Sequence, residues 1–244
     1  CTLGYRAFNE DLMYQVGNKP YINLTYSYYS LIPASIPEPL ALRLIQYYQT
    51  RLEEDLSAHD KIEFEIIFSS YDFMTEENSK RLLRYGFTEE ERKLLVREVK
   101  KLTIDAVKIL KEDLEALKRL ENCREEIEKL LYQDVSIDRI IDSILTLLKE
   151  IRTNGTPQFA RQARLAFIAR AFLRTLVDAG YYTSENVDTF MQGISTVSSE
   201  FNDDFERFSE GLISREEFNF KYGHLRSGTY DIRSDRYDAM NFRP

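Results

Sequence analysis

Thr88-Glu89-Glu90-Glu91-Arg92-Lys93-Leu94-Leu95-Val96-Arg97-Glu98-Val99 is the stretch on which the fold turns. Thr88 with Glu91 three positions on has the form of a capping box, in which hydroxyl and carboxylate each satisfy a backbone N–H left open at a helix start. Leu94, Leu95, Val99, Leu102, Ala106 and Leu110 then recur at helical spacing, one apolar stripe. Leu114, Leu117, Leu120, Ile127, Leu130 and Leu131 prolong the pattern inside Lys/Glu-rich sequence, which predicts a long helix or a helix pair with one wet face. A break follows at 134–136, and Ile137, Ile140, Ile141, Ile144, Leu145 and Leu148 predict a short, strongly apolar helix.

Upstream, Lys19 to Tyr26 alternates apolar and polar residues as a half-buried strand does. Pro39 sits near the start of a helix whose apolar face is Leu40, Leu44, Tyr47, Tyr48 and Leu52. After the turn His59-Asp60-Lys61, the alternation Ile62, Phe64, Ile66, Phe68 predicts a second strand paired with the first. A helix competes there, because glutamates 63 and 65 favour it.

Downstream, Asn154-Gly155-Thr156-Pro157 reads as turn, helix cap and first-turn proline. From Phe159 to Ala169 the residues are apolar nearly all round, so this helix is expected to be the most buried. Gly180 ends it, Thr183 or Ser184 caps the next, and short helices near 203–210 and 214–222 follow. The expectation is a mainly α multi-helix bundle with a small N-terminal β-hairpin or two-stranded element and an ordered C-terminal loop. It is read as a single domain over 1–244: a mixed lead-in at 1–73, long charged helices at 74–151, and the buried helix, short helices and loop at 152–244.

Lys plus Arg number 33 against 41 Asp plus Glu, a net charge of −8. A nucleic-acid binder needs a basic stripe to displace counterions, so that class is excluded. Cys1 and Cys123 make neither a disulfide framework nor a zinc site, and a reducing, cytoplasmic compartment is the expectation. No apolar run is long enough to span a bilayer, so no membrane partner is expected. A chain starting with Cys reads as a piece of a longer protein.

Gly-rich phosphate loops, G-x-S-x-G and H-E-x-x-H are absent. Of two histidines, His59 sits beside Asp60 in a turn. His224 lies in Tyr222–Asp238, after a glycine, Gly223, placed to end a helix in a left-handed cap. Arg226, Arg233 and Arg236 offer an anion cradle around it, with Asp231 or Asp235 orienting the side chains. Arg161 and Arg164 share a face early in the apolar helix, where cations are unfavourable without an anion or an acidic partner. Each cluster admits two readings, a small-anion site or internal pairing with the abundant carboxylates.

The run Tyr222-Gly223-His224-Leu225-Arg226-Ser227-Gly228-Thr229-Tyr230-Asp231-Ile232, closing with Arg236-Tyr237-Asp238, resembles a segment of phosphoenolpyruvate-utilising enzymes, more narrowly phosphoenolpyruvate synthase-like proteins. Pro20-Tyr21-Ile22-Asn23, Ser30-Leu31-Ile32-Pro33 and His59-Asp60-Lys61-Ile62-Glu63-Phe64-Glu65 are similar to the family's middle region, as are Phe159-Ala160, Ala163-Arg164 and Ala166–Ala169. Ser227 stands where the family usually has proline, and the family's phosphohistidine motif and ATP-grasp domain are both absent. The resemblance therefore implies a central acceptor-binding or scaffolding domain of an ATP-dependent phosphotransferase, inactive alone. Its partners would be the nucleotide-binding and swivelling phosphohistidine domains of the same polypeptide and a small anionic substrate. ATP and Mg2+ would belong to the parent protein, with no cofactor or metal in this piece. His224, Arg226, Arg236, Arg161 and Arg164 would be anion or hydroxyl ligands, with Thr229, Tyr230 and Asp231 shaping the loop. His224 is not assigned as the phosphorylated histidine. The alternative is a helical interaction module with no ligand of its own.

Overall fold

A computed structural model describes residues 4–7, 11–131, 133, 135–226 and 233–239. The described residues are mainly helical and divide into two compact units, 1–182 and 183–244, where the sequence suggested one continuous domain.

The first unit opens with an antiparallel hairpin, β1 (Met13–Val16) and β2 (Lys19–Ile22), with Met13 opposite Ile22 and Val16 opposite Lys19. Both strands are exposed along their length, so the expected half-buried strand is a surface hairpin. Asn23 ends β2 and caps α1 (Leu24–Ser30) by accepting from the Tyr26 N–H at 3.2 Å. Helix α2 (Glu38–Glu54) follows, burying Leu40, Leu44, Tyr47, Tyr48 and Leu52 as its spacing requires.

The second expected strand does not form. Ile62–Ile66 is a π-helical turn, closed by the Ile67 N–H donating to Ile62 O at 3.0 Å. Ile66, Ile67 and Phe68 are all buried. A strand with one buried face serves every second side chain, so three consecutive buried residues defeat it.

Short α3 (Thr75–Ser79) and a 3-10 turn (Lys80–Tyr85) lead to α4 (Glu89–Lys108), where both halves of the Thr88/Glu91 capping box are made. The long charged segment is a helix pair, with α5 (Leu110–Leu131) beginning just past Ile109. Helix α6 (Ile137–Asn154) is longer than its apolar run, and α7 (Thr156–Asp178) starts one residue later. Helix α6 packs on α5 and α7, and α7 also packs on α4 and α5. A Cβ at Gly155 would meet Ile151 O at 2.8 Å and a Leu120 methyl at 3.0 Å, so only glycine fits this joint. The core gathers Ile32, Ile36, Leu44, Tyr48, Ile66, Leu82, Leu95 and Val99.

Helix α7 is not the most buried element. Only Gln158, Arg161, Ile168 and Thr175 are buried on it, while Ala160, Ala166 and Ala169 are exposed. Its apolar circumference meets neighbours along one line, and the rest stays open.

The second unit holds α8 (Ser184–Gln192), α9 (Val197–Ser209) and α10 (Arg215–Tyr222), each opened by a Ser/Thr capping box. Its core is aromatic: Phe208, Phe218 and Tyr222 are buried, with Phe201 and Phe205 against them.

Candidate functional site

Two of the passages that carry the family resemblance meet in the first unit. The π-turn after His59-Asp60-Lys61 lies against the middle of α7. Glu63 Oε2 accepts from Arg164 Nη1 at 2.9 Å, and Glu65 Oε1 accepts from Arg174 Nη1 at 2.9 Å. Between these bridges Phe64 meets Phe167 edge-on at 5.0 Å. The Arg170 guanidinium sits 5.6 Å from the Phe64 ring centre, within cation–π range. A cleft of about 370 Å³ opens here, lined by Asp60, Lys61, Phe64, Glu65, Arg170 and Arg174. Arg174 is matched by Glu65, and Asp60 offsets one further cation. Among the described residues Arg170 has no carboxylate partner, so the cleft carries a net positive charge beside an aromatic face.

Arg164 belongs to the scaffold of this cleft rather than its mouth. Its guanidinium also lies 5.3 Å from the Tyr5 ring centre and 5.8 Å from that of Phe167. Tyr5 donates to Ser69 O at 2.9 Å, and burial raises its pKa, with the nearby Arg164 charge working the other way. Arg161 is more fully committed. Its Nε donates to both Asp113 oxygens, at 2.8 and 2.9 Å, and its Nη2 donates to Oδ1. The Asp113 side chain is 1% exposed. The expected anion-ligand role of these two arginines gives way to the other reading, internal ion pairing, because a carboxylate on α5 and one on the π-turn already occupy them.

The remaining expected ligands belong to the second unit. His224 is exposed. Arg226 Nε donates to Ser234 O at 2.8 Å, and Arg226 and Arg236 face each other in an isolated antiparallel bridge. Arg236 is paired with Asp238 at 2.5 Å. Thr229, Tyr230 and Asp231 lie outside the described residues. Gly223 has φ −57°, so the left-handed cap is not made. Its glycine is required by space instead, since a Cβ would meet Asn219 O at 2.4 Å and Asp238 Cβ at 2.9 Å. The returning strand is held by the Tyr237 N–H donating to Leu225 O at 2.9 Å and by the Tyr237 ring stacked on Phe201 at 5.7 Å. Beneath it Asp204 accepts from Lys221 Nζ and from the Tyr222 hydroxyl, both at 2.8 Å. Those two donors, Lys221 first, lower the Asp204 pKa.

Sequence reading missed Lys61, Arg170 and Arg174 as site residues and missed the acids that neutralise Arg161 and Arg164. Nothing local marks a Glu63–Arg164 pair 101 positions apart. Among the described residues no group of three His, Cys, Asp or Glu side chains is placed to hold a metal ion. No helix among them is long and apolar enough to cross a membrane. Comparison with protein-family models, with curated proteins and with solved structures returned no match.

Proposed function

We propose that the first unit is the acceptor-binding part of a phosphoenolpyruvate synthase-like ATP-dependent phosphotransferase, with the cleft of Lys61, Phe64 and Arg170 as its acceptor site. The carrying observation is that two separate passages of family-like sequence pack face to face and leave an uncompensated guanidinium beside an open aromatic surface. Arg170 and Lys61 supply donors for a carboxylate or phosphate, and Phe64 takes an apolar portion of the same molecule. The π-turn aims Glu63 and Glu65 at α7 and so fixes the floor on which Arg170 stands. Nucleotide and phosphohistidine chemistry would reside in other domains of the parent protein.

Calorimetric titration of the chain with phosphoenolpyruvate, and separately with inorganic phosphate, tests this. The expected dissociation constant is about 1 mM, or about −4 kcal/mol, fitting a shallow cleft with few charges. Binding should be lost in Arg170→Ala, weakened in Lys61→Ala and unchanged in Arg226→Ala. Retained affinity in both cleft variants, or no heat from any ligand, defeats the acceptor reading.

The second reading, a helical interaction module, is favoured by a separate observation. Large apolar side chains stand exposed along α6 and on α8, where Phe190 and Met191 are open. The absence of any small-anion binding would favour it.

A further inference from the structure

Helix α6 carries more apolar surface than its own unit covers. Ile140, Ser143, Leu147, Glu150 and Asn154 are half-buried on the side packed against α5 and α7. Ile137, Ile141, Ile144, Leu145, Leu148 and Ile151 form a second stripe beside it, each between 41% and 75% exposed. The steps 137, 141, 144, 148, 151 alternate four and three, the heptad spacing of a coiled-coil seam rather than of a simple surface helix. The stripe also borders an open apolar groove of about 430 Å³ against α5, lined by Leu117, Leu120, Leu147 and Ile151.

We propose that this stripe is an isologous interface on which α6 of a second copy of the chain packs antiparallel. With Ile137, Ile144 and Ile151 at d and Ile141 and Leu148 at a, antiparallel layers set Ile141 against Ile151 and Ile144 against Leu148 of the other copy. The flanking e positions are Asp138, Leu145 and Arg152. In this register Asp138 of each copy faces Arg152 of the other, and Leu145 meets its own equivalent on the two-fold axis. Among the described residues neither Asp138 nor Arg152 has an ion-pair partner within the chain. A parallel pair would match e against g, and the g positions Ile140, Leu147 and Asn154 carry no charge and lean on the neighbouring helices. The charge pattern and the palindromic 3-4-3 spacing of Ile141, Ile144, Leu148 and Ile151 thus select one occupant and one direction. Isologous closure also ends the association at two copies. The proposal does not depend on the phosphotransferase reading.

The paired seam, Ile141 to Ile151, is about 15 Å long at 1.5 Å per residue, short for a free coiled coil. Here both helices are already formed, so association pays no cost of helix formation beyond the usual loss of rigid-body and side-chain freedom, and a micromolar dissociation constant is expected. Sedimentation equilibrium of the 244-residue chain across the micromolar range, at physiological salt, should show a concentration-dependent monomer–dimer equilibrium. Ile144→Glu is at an exposed position, should keep the circular dichroism spectrum, and should weaken the dimer at least ~30-fold. Asp138→Arg should weaken it about tenfold by setting like charges face to face twice. Adding Arg152→Asp to that variant should restore most of the loss. A chain monomeric at every concentration overturns the proposal and leaves the stripe to a different protein. A dimer indifferent to Ile144→Glu places the interface elsewhere and overturns it too. A dimer lost in Ile144→Glu but not rescued by the double reversal overturns the antiparallel register.

Discussion

Arg161 and Asp113 form a buried ion pair at the start of α7, and its energetics are one-sided. Removing one member strands a charge inside the protein, whereas replacing both with apolar side chains of similar volume removes the desolvation penalty with the attraction. Asp113→Ala should lower unfolding stability by about 3 kcal/mol, while Asp113→Leu with Arg161→Met should be near neutral, both read by urea denaturation. That this arginine needs a negative partner, a bound anion or an acid of the chain, was legible from its place near the helix start. Its identity was not, because Asp113 lies 48 positions away and on another helix. Asp204 makes a different prediction. Its pKa is depressed in the folded state by Lys221 and Tyr222, so its contribution is complete above the ordinary carboxylate range. That contribution is lost as pH falls through the lower, folded value. Hydrogen exchange of α9 and α10 between neutral pH and pH ~3 should show protection falling in the wild type, and Asp204→Asn should flatten that fall.

At the scale of the element, what is local was readable and what is tertiary was not. The α4 start was specified by two side chains three apart, and Thr88→Ala should cost about 1 kcal/mol in thermal unfolding by opening a backbone N–H that nothing else fills. The segment 62–68 shows the opposite case. Its alternation is as good a strand pattern as any in the chain, yet Ile66, Ile67 and Phe68 all enter the core. A pattern of types cannot report that three successive side chains find apolar neighbours on different sides. Helix α6 was readable as apolar, and its length and half-open face were not, since sequence gives the width of a stripe but not how much of it the fold covers. Helix α7 misled for the same reason.

At the scale of the whole molecule, the charge balance makes a firm statement. A net charge of −8, with Arg161, Arg164, Arg174 and Arg236 each tied to a carboxylate, argues against displacement of counterions from a phosphate backbone. A polarisation titration with a labelled DNA duplex at ~0.15 M salt should show no binding up to about 100 µM protein. The boundary between units was invisible in composition. Gly180 closes α7 at φ 76° and Thr183 caps α8, a turn that reads like any joint between helices of one domain. Nor did the spacing of Phe201, Phe205, Phe208 and Phe218 announce that they would gather with Tyr222 into a core of their own.

The π-turn at 62–66 has a further consequence for chain length. It holds one residue more than an α-turn, closed by a single long-reach backbone bond. Excising one residue there would shorten the coil to ordinary pitch without tearing any adjoining ladder, so the backbone would tolerate the loss. The side chains would not: everything on one flank would swing by about 100°. The two acidic fingers that now grip α7 would no longer point the same way, and a tidy-looking deletion would silently unlatch the floor of the cleft.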